Sequence, residues 1–208
     1  MEFYDAIARR RTIRDFKDEP IKEEVIRRIL SAGLKAPSND HMRDWEFVVI
    51  TDREVIAKIL KKIPKKVSDA RIQFLFKSWK LEDPCQQRLY AQAVPKQYKM
   101  LYESGCLILP FFRQHSPLMA PKSLSSLNAF ASIWCCIENI FLAAAAEGLA
   151  CSLRIPLDKE PEYIREVLGS PADYVMPCYI SLGIPADDAC LPEQIERNID
   201  EKIHMNNW

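Results

Sequence analysis

Glycine is scarce in this chain of 208 residues, with five in all. They are too scattered to spell G-x-G-x-x-G or G-x-x-x-x-G-K-[ST], which removes the usual dinucleotide and phosphate-loop fingerprints. Histidine is scarcer still, with three residues, and the seven cysteines contain no C-x-x-C pair. A metal site therefore has weak support and none is expected. A charge excess is also missing. Lys and Arg number 29, and Asp and Glu number 29. A protein built to hold nucleic acid usually carries a positive surplus, so no nucleic-acid partner is expected. The opening MEFYDAIARRR has early acids and no apolar stretch, unlike a signal peptide. The most apolar region, 123–149, is broken by Glu138 before it reaches bilayer length, so no membrane partner is expected. An odd number of cysteines, mostly in apolar runs, reads as buried reduced thiols in a cytoplasmic protein.

What is present suits one compact domain over 1–208: hydrophobic residues make up 48% and charged residues 28%. Helical spacing predicts helices over 3–10 and 20–33, the second with Pro20 in its first turn and Gly33 at its end. The β-branched run 46–51 reads as a strand, and Asp52 as the cap of a following helix. Residues 64–105 form an excursion of helical pieces with weak periodicity. The stretch 61–80, which overlaps its start, holds seven basic residues and one acid. CLILPFF at 106–112 reads as a buried strand, with Pro110 out of character. The helix over 123–149 is apolar nearly all round, so burial on several sides is expected. A short extended piece at 151–155 follows. Asp158 is expected to cap a helix over 161–168 that ends at Gly169, and 175–182 to be a strand. A polar tail fills 186–208. Helices and strands mix without a regular βαβ beat, which predicts an α+β fold.

Four segments carry chemistry. Arg10-Arg11-Thr12-Ile13-Arg14-Asp15-Phe16 offers guanidinium groups that grip phosphate oxygens through paired hydrogen bonds. The bland alternative is a solvated basic patch at a helix C-terminus. Ala36-Pro37-Ser38-Asn39-Asp40-His41-Met42-Arg43-Asp44-Trp45 is turn chemistry leading into a strand. Glu138-Asn139-Ile140-Phe141-Leu142-Ala143-Ala144-Ala145-Ala146-Glu147-Gly148-Leu149 is a small-residue helix end, and Ser181-Leu182-Gly183-Ile184-Pro185 a strand ending in a tight turn.

In this order and spacing the four segments resemble the nitroreductase family of FMN-dependent oxidoreductases. That family opens with R-R-[ST]-x-R-x-F, continues with A-P-S-x-x-N-x-Q-P-W-x-F, has a long helix ending N-x-x-L-A-A-x-x-x-G-L, and finishes near G-[YI]-P. The likeness runs from residue 3 to about 185, leaving 64–105 unmatched. It implies a nitroreductase-like fold, with a central, mainly antiparallel or mixed sheet flanked by helices. It also implies an intertwined homodimer that binds FMN at its interface. Arg10, Arg11, Thr12 and Arg14 would then hold the phosphate and part of the ring, with Arg14 a charge near the flavin. Pro37, Ser38, Asn39 and His41 would complete the site from the other subunit. Arg154, Ile155, Pro156 and Leu157 would lie along the reactive edge. A backbone N–H must face flavin N5. Pro156 has none, which leaves Ile155, our first choice, or Leu157.

The chain departs from the family pattern in two places. His41 stands where Asn is usual, and Arg43-Asp44 where Gln-Pro is usual. After Gly183 there are two basic residues against six acids, where the family often places basic phosphate contacts. Arg154, or Arg43 of the second copy, is the expected substitute. The implied reaction takes hydride from NADH or NADPH and passes electrons to a small planar acceptor such as a nitroaromatic or quinone. The competing readings are a flavin-dependent dehalogenase, a flavin-modifying relative, and a non-catalytic flavin store or sensor.

Overall fold

The computed structural model describes residues 2–192 and 194–208. In chain order the elements are α1 (Phe3–Arg9), α2 (Glu23–Gly33), β1 (Trp45–Ile50), α3 (Arg53–Ile59), α4 (Asp69–Ser78), α5 (Pro84–Ala93), α6 (Gln97–Tyr102), β2 (Cys106–Arg113), α7 (Asn128–Ala146), β3 (Ala150–Arg154), α8 (Glu160–Leu168), β4 (Tyr174–Val175) and β5 (Tyr179–Gly183). The strands form one sheet in the order β1-β2-β5-β3, with β4 on β2 beyond the end of β5. Every named strand pair is antiparallel. The architecture is α+β, as expected.

Strand alternation divides the interior in two. Leu107, Leu109, Phe111 and Tyr179 face one side and pack with Ile56 and Ile59 of α3, Met100 and Leu101 of α6, and Ile164 of α8. Cys106, Ile108, Phe112, Ile180 and Leu182 face the other, against Ile26 and Ile29 of α2 and Ile133, Ile137, Ile140 and Ala144 of α7. Gly33 lets α2 approach α7 closely: a Cβ there would stand 2.8 Å from Ile140 Cγ1. A third, smaller cluster of Ile72, Phe76 and Val94 holds α4 and α5 together.

Several expectations need correction. Helix α2 begins at Glu23, three residues after Pro20. The run expected as one strand over 175–182 is split into β4 and β5. Pro110 sits inside β2 opposite Phe47, where β2 has left β5 and has not yet met β4, so its missing N–H breaks no ladder on that side. Asp158 does not cap α8. The N-cap is Lys159, without a side-chain bond, and Asp158 has φ +51°.

Within one chain, helix α7 is buried on one side. Ile133, Cys136, Ile137, Ile140 and Ala144 form its inner stripe, while Ala131, Cys135 and Glu138 are exposed. Together with the preceding turn, Leu124–Ala146 is long and apolar enough to cross a membrane by length and composition. Its inner stripe nevertheless belongs to the core under α2 and the sheet.

Candidate functional site

The segment after α1 runs extended beside β3. Thr12 bridges Cys151 in parallel, and Phe16 bridges Pro185 antiparallel. Ile13 N donates to Cys151 O at 3.3 Å, and Lys17 N to Ile184 O at 2.9 Å. Burial of Ile13 and Phe16 anchors this arm. The anchor requires the small turn residue: a Cβ on Gly183 would lie 2.5 Å from Phe16 Cδ1. The polar residues of the arm are thereby left partly accessible.

Arg10 and Arg11 line an open groove of about 190 Å³, with Phe141, Gly148, Cys151 and Pro185 on its walls. Arg10 Nε is 3.5 Å from Glu138 Oε1 on α7. Arg11 turns its guanidinium back onto the carbonyls of Ala8 and Arg10, where it satisfies the end of α1. Thr12 and Arg14 line a second recess with Asp15, Gln92, Lys96 and Cys190. Lys96 Nζ donates to Asp15 Oδ2 at 2.5 Å. Arg14 Nε is buried and donates to nothing among the described residues. Burial pulls the Arg14 pKa down, opposed in part by the Asp15 carboxylate.

The loop of Pro37, Ser38, Asn39, His41 and Arg43 lies elsewhere on the chain. Ser38 Oγ accepts from Arg43 N at 3.1 Å. Asn39 N donates to Ser132 Oγ at 3.1 Å, and Asn128 Nδ2 to Asn39 Oδ1 at 3.0 Å. The loop is thus fixed to the first turns of α7, with His41 and Arg43 exposed and both at positive φ. Glu138 and Ala145, which mark the groove of the arm, lie about 10 to 20 Å further along that helix at ~1.5 Å per residue. One chain does not bring the loop and the arm together.

Past β3, Ile155 and Leu157 are 46% and 50% exposed, so the strand-to-helix connection is open to a ligand. Arg154 is not. Alternation in β3 turns Cys151 and Leu153 toward α7 and sends Arg154 to the opposite face. There it is buried and engages Glu160 with both terminal nitrogens, Nη2 donating to Oε1 at 2.6 Å. The expected role of Arg154 at a phosphate is therefore replaced by an internal ion pair.

Four participants went unread in the sequence. Glu138 reads in the sequence as a break in an apolar run and as the start of the small-residue helix end, with no partner assigned. Lys96 sits in the excursion without motif context. Glu160 and Tyr179 hold Arg154. Of these, only Glu138 carried a local signal, being a lone acid in an apolar helix.

Comparison with known proteins gives a consistent result. The profile described as the nitroreductase family matches residues 7–184. An Archaeoglobus fulgidus protein, provisionally named NADH dehydrogenase/NAD(P)H nitroreductase, is 28% identical over 201 residues, covering 96% of this chain and 94% of its own. Iodotyrosine deiodinase 1 of Rattus norvegicus is 28% identical over 202 residues, covering 96% of this chain and 68% of its own. Among solved structures, oxidized iodotyrosine deiodinase bound to FMN and 3-iodo-L-tyrosine superposes with a TM-score of 0.75 at 19% identity, covering 100% of both chains. The extended arm, the loop before β1, α7 and the Gly183 turn fall within the matched span, and the chain belongs to the nitroreductase family.

Proposed function

We propose that this chain is an FMN-dependent oxidoreductase that works as a homodimer, with NADH or NADPH as donor and a small planar molecule as acceptor. The observation that carries the reading is the separation of arm and loop along α7, together with the exposed stripe of that helix. A second copy packed antiparallel against the stripe brings the loop of one protomer to the arm of the other. The orphaned Arg14 Nε supports the fit, since a buried donor without an acceptor asks for a ligand.

FMN, when bound, would supply the hydride and electron transfer between donor and acceptor. Arg10 would hold the phosphate, and the Thr12 hydroxyl would add a hydrogen bond. Arg11, turned toward the end of α1, assists from the groove wall. Arg14, buried beside the second recess, would offer positive charge to the ring system. The N–H of Ile155 or Leu157 presents a donor to the ring edge. Ser38, Asn39, His41 and Arg43 of the second copy close the site, with Arg43 the remaining candidate for an added phosphate contact. Buried reduced cysteines suit a cytoplasmic setting.

Protein reconstituted with FMN is mixed anaerobically with NADH or NADPH in a stopped-flow instrument. Rapid loss of the yellow absorbance with either donor is expected. No loss with either donor favours the store or sensor. A second reading, reductive removal of halogen from an aromatic ring, is favoured by the deiodinase relatives. Iodide release from 3-iodo-L-tyrosine by the dithionite-reduced protein tests it.

A further inference from the structure

We infer that Arg154, Glu160 and Tyr179 form a buried clasp that positions the 155–159 loop, and with it the backbone N–H that meets the flavin edge. The inference rests on the reading above, in which that loop borders the cofactor.

The clasp joins the two ends of the loop. Arg154 is the last residue of β3 and Glu160 the first of α8. Their side chains are 7% and 8% exposed. The contact is a fork: Nη1 donates to Oε2 and Nη2 to Oε1. Such paired geometry fixes orientation as well as separation. Tyr179 of β5 completes it. Its hydroxyl donates to Glu160 Oε2 at 3.2 Å, and the Arg154 guanidinium lies 5.6 Å from the centre of its ring. Tyr179 stands opposite Arg154 in the sheet register, so the clasp ties the loop to the middle of the fold.

The loop needs such restraint. Asp158 takes the left-handed region at φ +51°, which costs a non-glycine residue backbone energy that its surroundings must offset. Within the loop, Glu160 N donates to Leu157 O at 3.0 Å. Ile155 and Leu157 are half-exposed and bury too little to hold it by packing. A buried ion pair is poor evidence for stability, because apolar residues of similar volume usually do as well. Its presence here, across the base of the one loop expected at the flavin edge, is better explained by geometry. These three are positioning residues: they touch neither flavin nor substrate.

The test uses the full chain. Removing one charge leaves the other buried and unpaired, so a single truncation is expected to unfold the protein. The triple variant R154M/E160M/Y179F removes every polar group of the clasp. It is expected to keep the wild-type melting temperature, with hydrogen exchange of the Glu160 amide, which donates to Leu157 O inside the loop, at least tenfold faster in the flavin-free protein. With FMN bound, its midpoint potential shifts by about 30 mV or more, a tenfold change in the relative hold on oxidised and reduced flavin. R154K keeps the charge but not the fork. It is expected to fold and to give exchange between wild type and triple, which preserves the test should the triple variant unfold.

A folded variant with wild-type exchange at the Glu160 amide overturns the clasp. Faster exchange with an unchanged potential also overturns the proposal, because the ordered loop would then not serve the flavin. A wild-type protein that takes up no FMN sinks the cofactor reading instead, while the exchange rates of the flavin-free protein still decide whether the clasp orders the loop.

Discussion

Arg10 Nε stands 3.5 Å from Glu138 Oε1, so the one carboxylate on the outer stripe of α7 faces the first arginine of the arm. The pair is open to solvent on both sides and contributes little to stability by itself. It holds the guanidinium over the groove instead. Arg10→Ala is expected to weaken FMN binding by about 10- to 100-fold, the equivalent of one charge-assisted contact of about 1.5–3 kcal/mol. Riboflavin, which lacks the phosphate, is expected to bind the variant and the wild type equally. Fluorescence-quenching titrations with both ligands decide the matter. An equal loss for both assigns Arg10 to the ring or to the fold.

Gly183 and Phe16 are coupled by space. The ring occupies the position of any side chain at residue 183, and Gly105 N closes the other side at 3.2 Å. Gly183→Ala is expected to destabilise by about 1–3 kcal/mol through overpacking. It also displaces the arm that Phe16 anchors, so FMN affinity falls with it. In a Phe16→Ala background the same glycine change is expected to cost clearly less, with only the contact to Gly105 N remaining. Urea unfolding of the four proteins gives the coupling, and additive costs would show that the ring and the turn are independent.

The legible parts of this fold are those where one side chain and its neighbours decide the outcome. Asp52 accepts from the N–H groups of Glu54 and Val55, as a capping aspartate should. Gly148 and Gly169 end their helices at positive φ. The arm and the Gly183 turn were readable because few residue types satisfy them. Arg154 was misplaced although its signal was present: alternation along 150–154 sets it with Ser152, away from Cys151 and Leu153. Helices α4 and α5 were hard to read because they share only a small cluster and expose most of their surface. Their caps, Ser68 on Arg71 N and Asp83 on Gln86 N, were visible and more informative than periodicity. The Arg10–Glu138 and Lys96–Asp15 pairs join distant parts of the chain, which no local pattern records.

The thiols give a pH prediction. Burial pushes Cys106, Cys136 and Cys178 up to about 12 from 9.0, and raises Cys151 as well. These groups stay protonated in the native state at a pH where the unfolded chain has released its protons. Their contribution is complete below about pH 9 and is lost as pH rises toward 12, at about 1.4 kcal/mol per pH unit for each such thiol. Guanidinium unfolding at pH 8, 9 and 10 is expected to show falling midpoints. Flat midpoints across that range would show that these thiols ionise alike in the folded and unfolded states. At pH 8 the same four are expected to resist a disulfide reagent that modifies Cys85 and Cys190.

Cys135 reports on the proposed dimer. It is exposed on the α7 stripe, beside Ala131 and one turn before Glu138. In a dimer packed through that stripe it is shielded and modified as slowly as the buried thiols. Ala131→Arg places a charge in the seam, where burial without a partner is costly. The variant is expected to elute as a monomer, to expose Cys135 to rapid modification, and to lose FMN affinity by at least ~100-fold, although Arg10, Thr12 and Arg14 are untouched. The three readouts should move together, because the loop that completes each site travels with the second copy. A monomeric variant that still binds FMN tightly would mean that one chain completes the site alone, and the separation of loop and arm along α7 would need another explanation.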